Sequence, residues 1–596
     1  MSVLSVLEPR QRKYLPEELR VTVWSKLKPY YNELAHRDIS AVSDLERWIY
    51  DWNEINALVR EEISWRYIHL SRSMDDERPE ELYNYIVQRI LPKVTEMDHA
   101  LHIRLLESPF KNELNTEQFG IYLRGIQNSL AIYQPENVLL FTAIKIKSKE
   151  YGKLVSQMMI EKGGKNLTIQ ETTKSLESLD RRERESGYKK IGDCFLESEQ
   201  QLDGIFNELV SMRNQLAKNA GFDNFRDFRF RELGRFDYTV KDCERFHKSI
   251  KQQVVPIVND LYKLRKKILK LDTVRPWDIK VAVEGTDHLE PFKDTEDLVK
   301  KTIHCLSGVH PFFGNCLTIL QEMKHLDLET RKGKQPGGYN MPLLMTGVPF
   351  VFMNASNSLK DLLILTHECG HAVHSFSTRQ YQLNSIKTCP AEVAELAAMS
   401  MELFAMEHWD VIFNNPEEER IARLQQLERV LTILPWIGQV DEFQHWVYTH
   451  PDATEAERKI HWKSLSKEYT PDIINMSGCE KYIESSWHRQ LHIFELPFYY
   501  IEYAMAQLGA IALWKNYREN PVETIDRFTY ALGLGYSKTI PEIYEAAGIS
   551  FDFSEIYIRS IIGFLREEID KCYFKRETLI PKPRKGPHST QVPPGL

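Results

Sequence analysis

An apolar run that contains two histidines places the strongest constraint on the fold of this 596-residue chain. Apolar side chains dominate residues 359–365 and return at Ala372 and Val373, and His367 and His371 stand between them, four residues apart. On an α-helix this spacing places both imidazoles on one face, one turn apart. Polar rings in such a run are costly to bury without a purpose. The sequence therefore predicts a largely buried helix with paired histidines.

The residues at 367–371 read HECGH and match the pattern H-E-x-x-H. Two imidazoles at this spacing can share a metal ion, for which zinc is the natural candidate. Glu368 lies about 100° round the helix from His367, so its carboxylate can flank the ion and act as a general base instead of a ligand. Cys369 should point into the core. We expect His374 to have a structural role or to orient a metal ligand without binding the metal itself.

A second predicted helix, residues 391–402, supplies three glutamates, Glu392, Glu395 and Glu402. These three positions share one helical face, and the small and apolar residues between them argue against a solvated stripe. A catalytic zinc needs a third protein ligand. One glutamate can therefore bind the metal while the others accept hydrogen bonds from the histidines. The spacing alone leaves open which glutamate is the ligand.

The first 160 residues have the pattern of amphipathic helices. The clearest begins at Ser43, whose hydroxyl can cap the helix while Glu46 closes a capping box. Its apolar stripe is Leu45, Trp48, Ile49, Trp52, Ile55, Leu58, Val59 and Ile63. The pattern breaks at Gly163-Gly164, which predicts an N-terminal helical region over 1–170 and a second region over 171–575. The proline-rich residues 576–596 are expected to be a disordered tail.

A small sheet is expected between Asp327 and Asn357, where glycines and prolines interrupt the helical pattern. Residues 348–353 have strand composition, and Pro349, which lacks an amide donor, favours an edge strand over a central one. An edge strand next to the histidine helix could bind an extended peptide by strand addition. An ordinary hairpin packed on helices explains the same residues equally well.

Charge and cysteine usage exclude several classes of protein. Lys and Arg number 77 and Asp and Glu 85, a formal net charge of −8, and no basic cluster is interleaved with aromatics, so we expect no nucleic-acid partner. The N-terminus lacks the apolar core of a signal peptide or a spanning helix, which predicts a cytoplasmic protein with no membrane partner. The eight cysteines form no CxxC pair, as is typical of reduced thiols.

Three segments together resemble one known family. They are HECGHAVH at 367–374, the glutamate helix about 25 residues later, and the segment from His492 to Tyr503, with weaker similarities spread over 175–552. With these residues the chain resembles the thimet oligopeptidase and oligoendopeptidase F family of zinc peptidases, and oligoendopeptidase F in particular. The first 170 residues match that family only by their helical character.

The resemblance implies a mostly α-helical, two-lobed metallopeptidase with a deep central channel and a small β-sheet next to the HExxH helix. Residues 1–170 would form part of the channel wall or lid, and 171–575 the catalytic region with one zinc ion. The family's third ligand is a glutamate seven residues before another, a spacing that Glu395 and Glu402 fit, whereas Glu392 would pair with Met399. Glu395 is therefore the expected ligand, with His367 and His371.

The resemblance also places His492 and tyrosines of the following segment against the substrate. Tyr499 and Tyr503 lie four residues apart on a helix predicted to begin after Pro497, and we rank Tyr499 first as the donor to the oxyanion. The expected function is hydrolysis of internal bonds in short oligopeptides, with Glu368 as general base. The alternatives are a helical peptide-binding protein that retains the metal without turnover, and a purely structural helical scaffold.

Overall fold

The computed structural model describes residues 11–281, 283 and 289–574, so the predicted tail at 576–596 lies outside the described residues. The fold is mostly α-helical with small sheets, as the sequence predicts. In chain order the helices are α1 Trp24–His36, α2 Val42–Arg72, α3 Glu77–Tyr85, α4 Leu91–Glu107, α5 Thr116–Ala131, α6 Pro135–Gln157, α7 Ile169–Thr173, α8 Arg181–Glu197, α9 Glu199–Asn219, α10 Phe225–Glu232, α11 Val240–Ser249, α12 Val255–Ile268, α13 Thr295–Val309, α14 Pro311–Glu322, α15 Leu359–Ser377, α16 Asn384–Lys387, α17 Ala391–Met406, α18 Pro416–Thr449, α19 Glu455–Tyr469, α20 Glu480–Glu484, α21 Leu491–Glu495, α22 Tyr500–Glu519, α23 Pro521–Leu534, α24 Ile540–Ala546 and α25 Glu555–Phe574. The strands are β1 Met159–Lys162, β2 Lys165–Thr168, β3 Leu326–Glu329, β4 Tyr339–Met341 and β5 Phe350–Ala355.

Helix α2 confirms the predicted apolar stripe but corrects its start. Every stripe residue from Leu45 to Val59 is buried, and Ile63 is partly buried against the same core. The helix begins at Val42 after an extended Ala41, and the described residues give it no side-chain cap. The capping box predicted at Ser43 is therefore wrong, because the helical hydrogen bonds start two residues earlier with Leu45 N to Ala41 O at 3.2 Å.

The sheet before α15 is three-stranded, with the order β3-β5-β4. Strand β5 is its central strand, parallel to β3 and antiparallel to β4. The prediction of an edge strand at 348–353 is thus wrong. Pro349 lies just before Phe350, where β5 begins, so its missing amide donor costs no ladder hydrogen bond. Strand β4 lies at an edge of the sheet instead, in contact with α15.

The predicted break at Gly163-Gly164 is the turn of a β1–β2 hairpin that the sequence analysis did not anticipate. Both glycines have positive φ, 61° and 79°, which side chains disfavour. The described residues form two large apolar cores that do not divide at this turn. One gathers mainly residues 15–126 and the other runs from Tyr151 to Tyr573, so the buried face of α6 belongs with the second core. The division at residue 170 stays a prediction.

The C-terminal end of α2 is anchored on the three-stranded sheet. Gln335 N donates to Ser71 O at 2.8 Å, and the hydroxyls of Ser71 and Tyr339 are 2.5 Å apart. The Arg72 guanidinium donates to Asp327 Oδ2 at 2.7 Å. The N-terminal helices therefore contact the sheet that lies beside the histidine helix. Within the described ranges, no helix is long and apolar enough to cross a membrane.

Candidate active site and metal centre

Helix α15 carries the HECGH residues and packs closely on α17. Its first turn is closed by Ser358, whose hydroxyl and amide both donate to Asp361 Oδ2, at 2.8 and 2.9 Å. At Gly370 a Cβ atom would come within 2.5 Å of Ala398 Cα and 2.6 Å of Ala397 O. Glycine at this position therefore allows the backbones of the two helices to approach. The approach is what brings the glutamates of α17 to the histidines.

His367, His371 and Glu395 converge on one point. Each offers a ligand atom, and these three atoms lie within 4.8 Å of one another. His367 Nε2 is 3.3 Å from Glu395 Oε2, and His371 Nε2 is 4.0 Å from Glu395 Oε1. The two histidine side chains keep 21% and 20% of their exposure, so the point of convergence can be reached from solvent. The structure brings together the three ligands chosen from the sequence.

The chemistry of this donor set fits a divalent metal ion. Two imidazole nitrogens and one carboxylate oxygen are a common ligand set of catalytic zinc. Glu395 Oε2 is buried and makes no hydrogen bond of favourable geometry among the described residues, although His367 Nε2 lies 3.3 Å away, and a cation between these atoms would satisfy both. Burial lowers the pKa of His371 to about 4, which leaves its imidazole neutral and able to bind a metal at neutral pH.

Glu402 contacts the ring nitrogen of His367 that faces away from the ligand set. His367 Nδ1 is 2.8 Å from Glu402 Oε1, which leaves Nε2 directed at the ligand set. Gln426 Nε2 donates to Glu402 Oε2 at 2.9 Å, and the Arg429 guanidinium also contacts this oxygen. Burial acts to raise the pKa of Glu402, but Arg429 and His367 outweigh it and lower the pKa to about 2. Glu402 is thus ionised and can accept the imidazole proton.

Glu368 adjoins the ligand set without joining it. Its side chain is buried, and that burial, with the nearby carboxylates of Glu395 and Glu402, raises its pKa to about 7. A carboxylate with this pKa can both take and return a proton near neutral pH. The backbone oxygen of Glu368 accepts a hydrogen bond from Asn340 Nδ2 at 3.0 Å, which joins α15 to strand β4.

The other polar residues near the motif point elsewhere. Glu392 accepts a hydrogen bond from Tyr238 OH at 2.6 Å and stands outside the ligand set. His374 Nε2 is 3.1 Å from Cys389 Sγ, and this partly buried contact fits the structural role expected for His374. Cys369 is buried in the core that runs from Tyr151 to Tyr573, as predicted.

The segment from His492 to Tyr503 brings its polar groups to the same point. Tyr499 OH lies 3.5 Å from Glu395 Oε1, and the ring centroids of Tyr499 and Tyr503 are 5.3 Å apart. The His492 ring stacks on Tyr499 with an interplanar angle of 13°. Tyr499 immediately precedes α22, and Phe498 before it is fully buried with φ 65°. The three predicted substrate-facing residues therefore form one group beside Glu395.

Several residues that build this centre escaped the sequence reasoning. Gln426 and Arg429 lie on α18, one turn apart, and support Glu402. Asn340 ties the sheet to Glu368. No spacing in the sequence indicates these contacts, because each joins segments that are distant along the chain. Gly370, inside the motif, could have been found, since glycine in a helix interior disfavours the helix and suggests a close backbone approach.

Comparison with known proteins identifies the family of the chain. The profile described as Peptidase family M3 matches residues 175–562, and the one described as Peptidase M3 N-terminal domain matches residues 17–133. The chain belongs to peptidase family M3. The resemblance drawn from the motifs is therefore confirmed, and the larger M3 match contains the whole ligand set and the segment from His492 to Tyr503.

Relatives and solved structures extend the comparison. The chain is 25% identical over 409 residues to the oligopeptidase PepF of Bacillus subtilis (strain 168). This match covers 63% of this chain and 58% of the relative. It is 24% identical over 395 residues to an oligoendopeptidase F homolog of Lactococcus lactis subsp. lactis (strain IL1403), covering 64% and 62%. The chain thus spans less than two thirds of either relative's length.

One solved structure, PZ peptidase A with inhibitor 2, superposes on this chain with a TM-score of 0.85 at 26% identity. The match covers 93% of this chain and 99% of that one. The fold shared with this structure therefore extends over almost the entire described chain, including the N-terminal helices that the sequence motifs did not reach.

Proposed function

We propose that this M3-family chain is a zinc-dependent endopeptidase that hydrolyses internal bonds of short oligopeptides. The observation that supports it best is the convergence of His367, His371 and Glu395, whose ligand atoms lie within 4.8 Å of one another beside a buried glutamate. That glutamate, Glu368, has a pKa raised to about 7 by burial. Oligopeptides as substrates and a cytoplasmic location remain parts of the same proposal.

A zinc ion at this point would polarise the scissile carbonyl and acidify a water molecule. The residues of the chain supply the proton transfers and the positioning. Glu368 takes a proton from the attacking water on its carboxylate and delivers it to the nitrogen of the leaving amine. Glu402 fixes the ring of His367 through Nδ1. Tyr499 and His492, which lie together beside Glu395, are the proposed donors to the negative charge on the carbonyl oxygen.

Strand β4 offers a place for the peptide. It lies at an edge of the three-stranded sheet, and Asn340 in its middle is bonded to the backbone of Glu368. An extended peptide added to this edge would run alongside α15. Backbone hydrogen bonds to a strand bind peptides of many sequences, and they align the scissile bond without demanding a particular side chain. This assigns to β4 the strand addition that the sequence analysis placed at 348–353.

The experiment that tests this function is digestion of a peptide library, read by mass spectrometry, with zinc-loaded and with chelator-treated protein. We expect cleavage at internal bonds by the zinc-loaded protein alone. Release of single terminal residues would make the chain an exopeptidase. Peptide binding without any cleavage, measured on the same library by retention on immobilised protein, would favour the alternative of a metal-retaining peptide-binding protein.

A further inference from the structure

A second group of metal-ligand side chains lies in the core, apart from the HECGH centre. Cys243 and His247 occupy α11, four residues apart, and Asp441 and His445 occupy α18 with the same spacing. Each helix therefore presents a pair of side chains on adjacent turns of one face. One ligand atom each from Cys243, Asp441 and His445 lies within 4.8 Å of the other two. His247 Nε2 is 2.8 Å from Asp441 Oδ2.

The polar atoms of this group are buried and incompletely bonded. The Asp441 side chain has 0% exposure and that of His445 9%. Among the described residues, Asp441 Oδ1 and both ring nitrogens of His445 make no hydrogen bond of favourable geometry, although His445 Nε2 lies 3.2 Å from Asp441 Oδ2. Buried polar atoms almost always have a partner, so three atoms without such a bond in one group require an explanation. Asp441 Oδ2 is satisfied by His247, which leaves Oδ1 free for a ligand.

The charges of the group also call for a cation. Asp441 is a fully buried carboxylate, and such a charge is stable only when it is paired. The nearby Arg235 is already engaged with Glu502 at 2.8 Å.

We propose that Cys243, Asp441 and His445, with His247 beside them, hold a second divalent metal ion of the zinc class. Sulfur, imidazole and carboxylate together are a ligand set that zinc takes readily. Binding forms a metal–sulfur bond and releases the thiol proton of Cys243 to solvent. The two positive charges of the ion are then matched by one thiolate and one carboxylate. This ion is additional to the single zinc that the sequence analysis predicts.

The position of the group indicates a structural role. All four side chains are buried, so no route leads a substrate to them. The His445 ring contacts the ring of Phe498, with centroids 5.3 Å apart, and the neighbouring Gln444 accepts a hydrogen bond from Phe498 N at 2.9 Å. Phe498 directly precedes Tyr499. An ion here would join α11 to α18 behind the segment that carries the tyrosines of the candidate active site.

The test uses a variant in which the HECGH centre is disabled, His367→Gln with His371→Gln, produced in zinc-containing medium. We expect it to retain one equivalent of zinc by elemental mass spectrometry. X-ray absorption should show a sulfur neighbour at about 2.3 Å from the zinc, and the cobalt-substituted protein should show a thiolate-to-cobalt charge-transfer band. The HECGH centre contains no sulfur ligand, so neither signal can come from it.

Matched cysteine variants locate the ion. In the disabled background, Cys243→Ser should abolish the sulfur signals, whereas Cys316→Ser, which removes another buried core thiol, should leave them intact. If the disabled variant folds and holds no zinc, and its cobalt form lacks the band, the proposal is overturned and the group is a hydrogen-bonded histidine–aspartate pair. This result does not depend on the Cys243 variant folding, and none of the readouts requires peptidase activity.

Discussion

A single substitution should separate the catalytic role proposed for Glu368 from the metal-binding role proposed for His367 and His371. In Glu368→Gln the amide cannot accept a proton from water, while the proposed ligands His367, His371 and Glu395 are unchanged. We expect metal content to stay at the wild-type level and kcat to fall by about 10²–10⁴-fold. Steady-state kinetics on a cleaved peptide measures kcat, and elemental analysis of the same sample measures the metal content. Wild-type turnover in this variant would remove Glu368 from the mechanism.

Two roles can be tested for Tyr499, because its hydroxyl lies 3.5 Å from Oε1 of the proposed ligand Glu395 and is also the donor that we propose for the oxyanion. If it donates to the oxyanion, Tyr499→Phe should lower kcat by about 10²–10³-fold with KM and metal affinity nearly unchanged. Tyr503→Phe tests the second candidate donor, whose ring adjoins that of Tyr499, and we expect it to lower kcat less than Tyr499→Phe does. Reduced metal affinity in Tyr499→Phe would instead make Tyr499 a residue that positions Glu395.

At the scale of elements, the close approach of α15 and α17 through Gly370 is what assembles the centre. Alanine is ordinarily favoured over glycine inside a helix by about 1 kcal/mol. In Gly370→Ala, however, the new Cβ would press on the backbone of Ala397 and Ala398, and overpacking of this kind costs about 1–3 kcal/mol. We expect a lower unfolding midpoint and weaker metal binding, measured by chelator competition, because Glu395 lies one turn from the displaced backbone.

Gly563, in α25, is the control for this experiment. In the described part of the chain nothing lies within 4 Å of a Cβ built there. Gly563→Ala should therefore leave metal binding unchanged and shift stability by at most the propensity gain of about 1 kcal/mol. Equal effects of the two substitutions would show that contact between α15 and α17 is not what Gly370 provides.

Helices were predicted from the sequence more successfully than the strand order or the contacts between helices. The spacing of His367 and His371 indicates a helix because periodicity of apolar residues is a local signal, and α2 was found in the same way. The edge-strand prediction failed because Pro349 lies one residue before β5 begins. A proline removes only its own amide donor, so outside the strand it does not affect the hydrogen bonds of the sheet. The support of Glu402 by Arg429 could not be predicted, since it depends on how α17 and α18 pack.

The buried carboxylate of Asp327, on strand β3, is surrounded by three cationic side chains and should make stability depend on pH. Asp327 accepts hydrogen bonds from Arg331, Lys334 and Arg72. Burial acts to raise the pKa of Asp327, but Arg331 and Lys334 outweigh it and hold the pKa well below its usual range. A depressed folded pKa contributes stability that is present above the unfolded pKa of about 3.9 and is lost as the pH falls below it.

We therefore expect the urea midpoint to fall as the pH is lowered from about 5 to about 3, and to fall less steeply in Asp327→Asn. At neutral pH this variant should also lose about 3–5 kcal/mol, because it leaves the buried Lys334 without its counter-charge. Asp260→Asn removes an exposed partner of Lys263 and should change stability by about 0.5 kcal/mol at most. Identical pH slopes for Asp327→Asn and the wild type would contradict the assignment.

At the scale of the whole molecule, the N-terminal helices stand next to the candidate active site. The carboxylate of Glu61 accepts the backbone amides of Met345 and Thr346, at 2.6 and 2.8 Å. Further along α2, Ser71 bonds to Tyr339 in strand β4. Both contacts hold α2 against the sheet that the peptide would join. If the peptide joins this sheet, the N-terminal helices should restrict which substrates reach the histidines.

Size selection should follow from this arrangement, and it can be tested with one sequence in three states. A peptide of about ten residues taken from a stable protein should be cut, and the same segment inside the folded protein should survive. The full-length protein kept unfolded separates the effect of length from that of folding, and a channel that encloses its substrate should cut it more slowly than the peptide. Chromatography and mass spectrometry over a common time course give the three rates. Cleavage of the folded protein at a rate comparable to the peptide's would show that no enclosing channel exists.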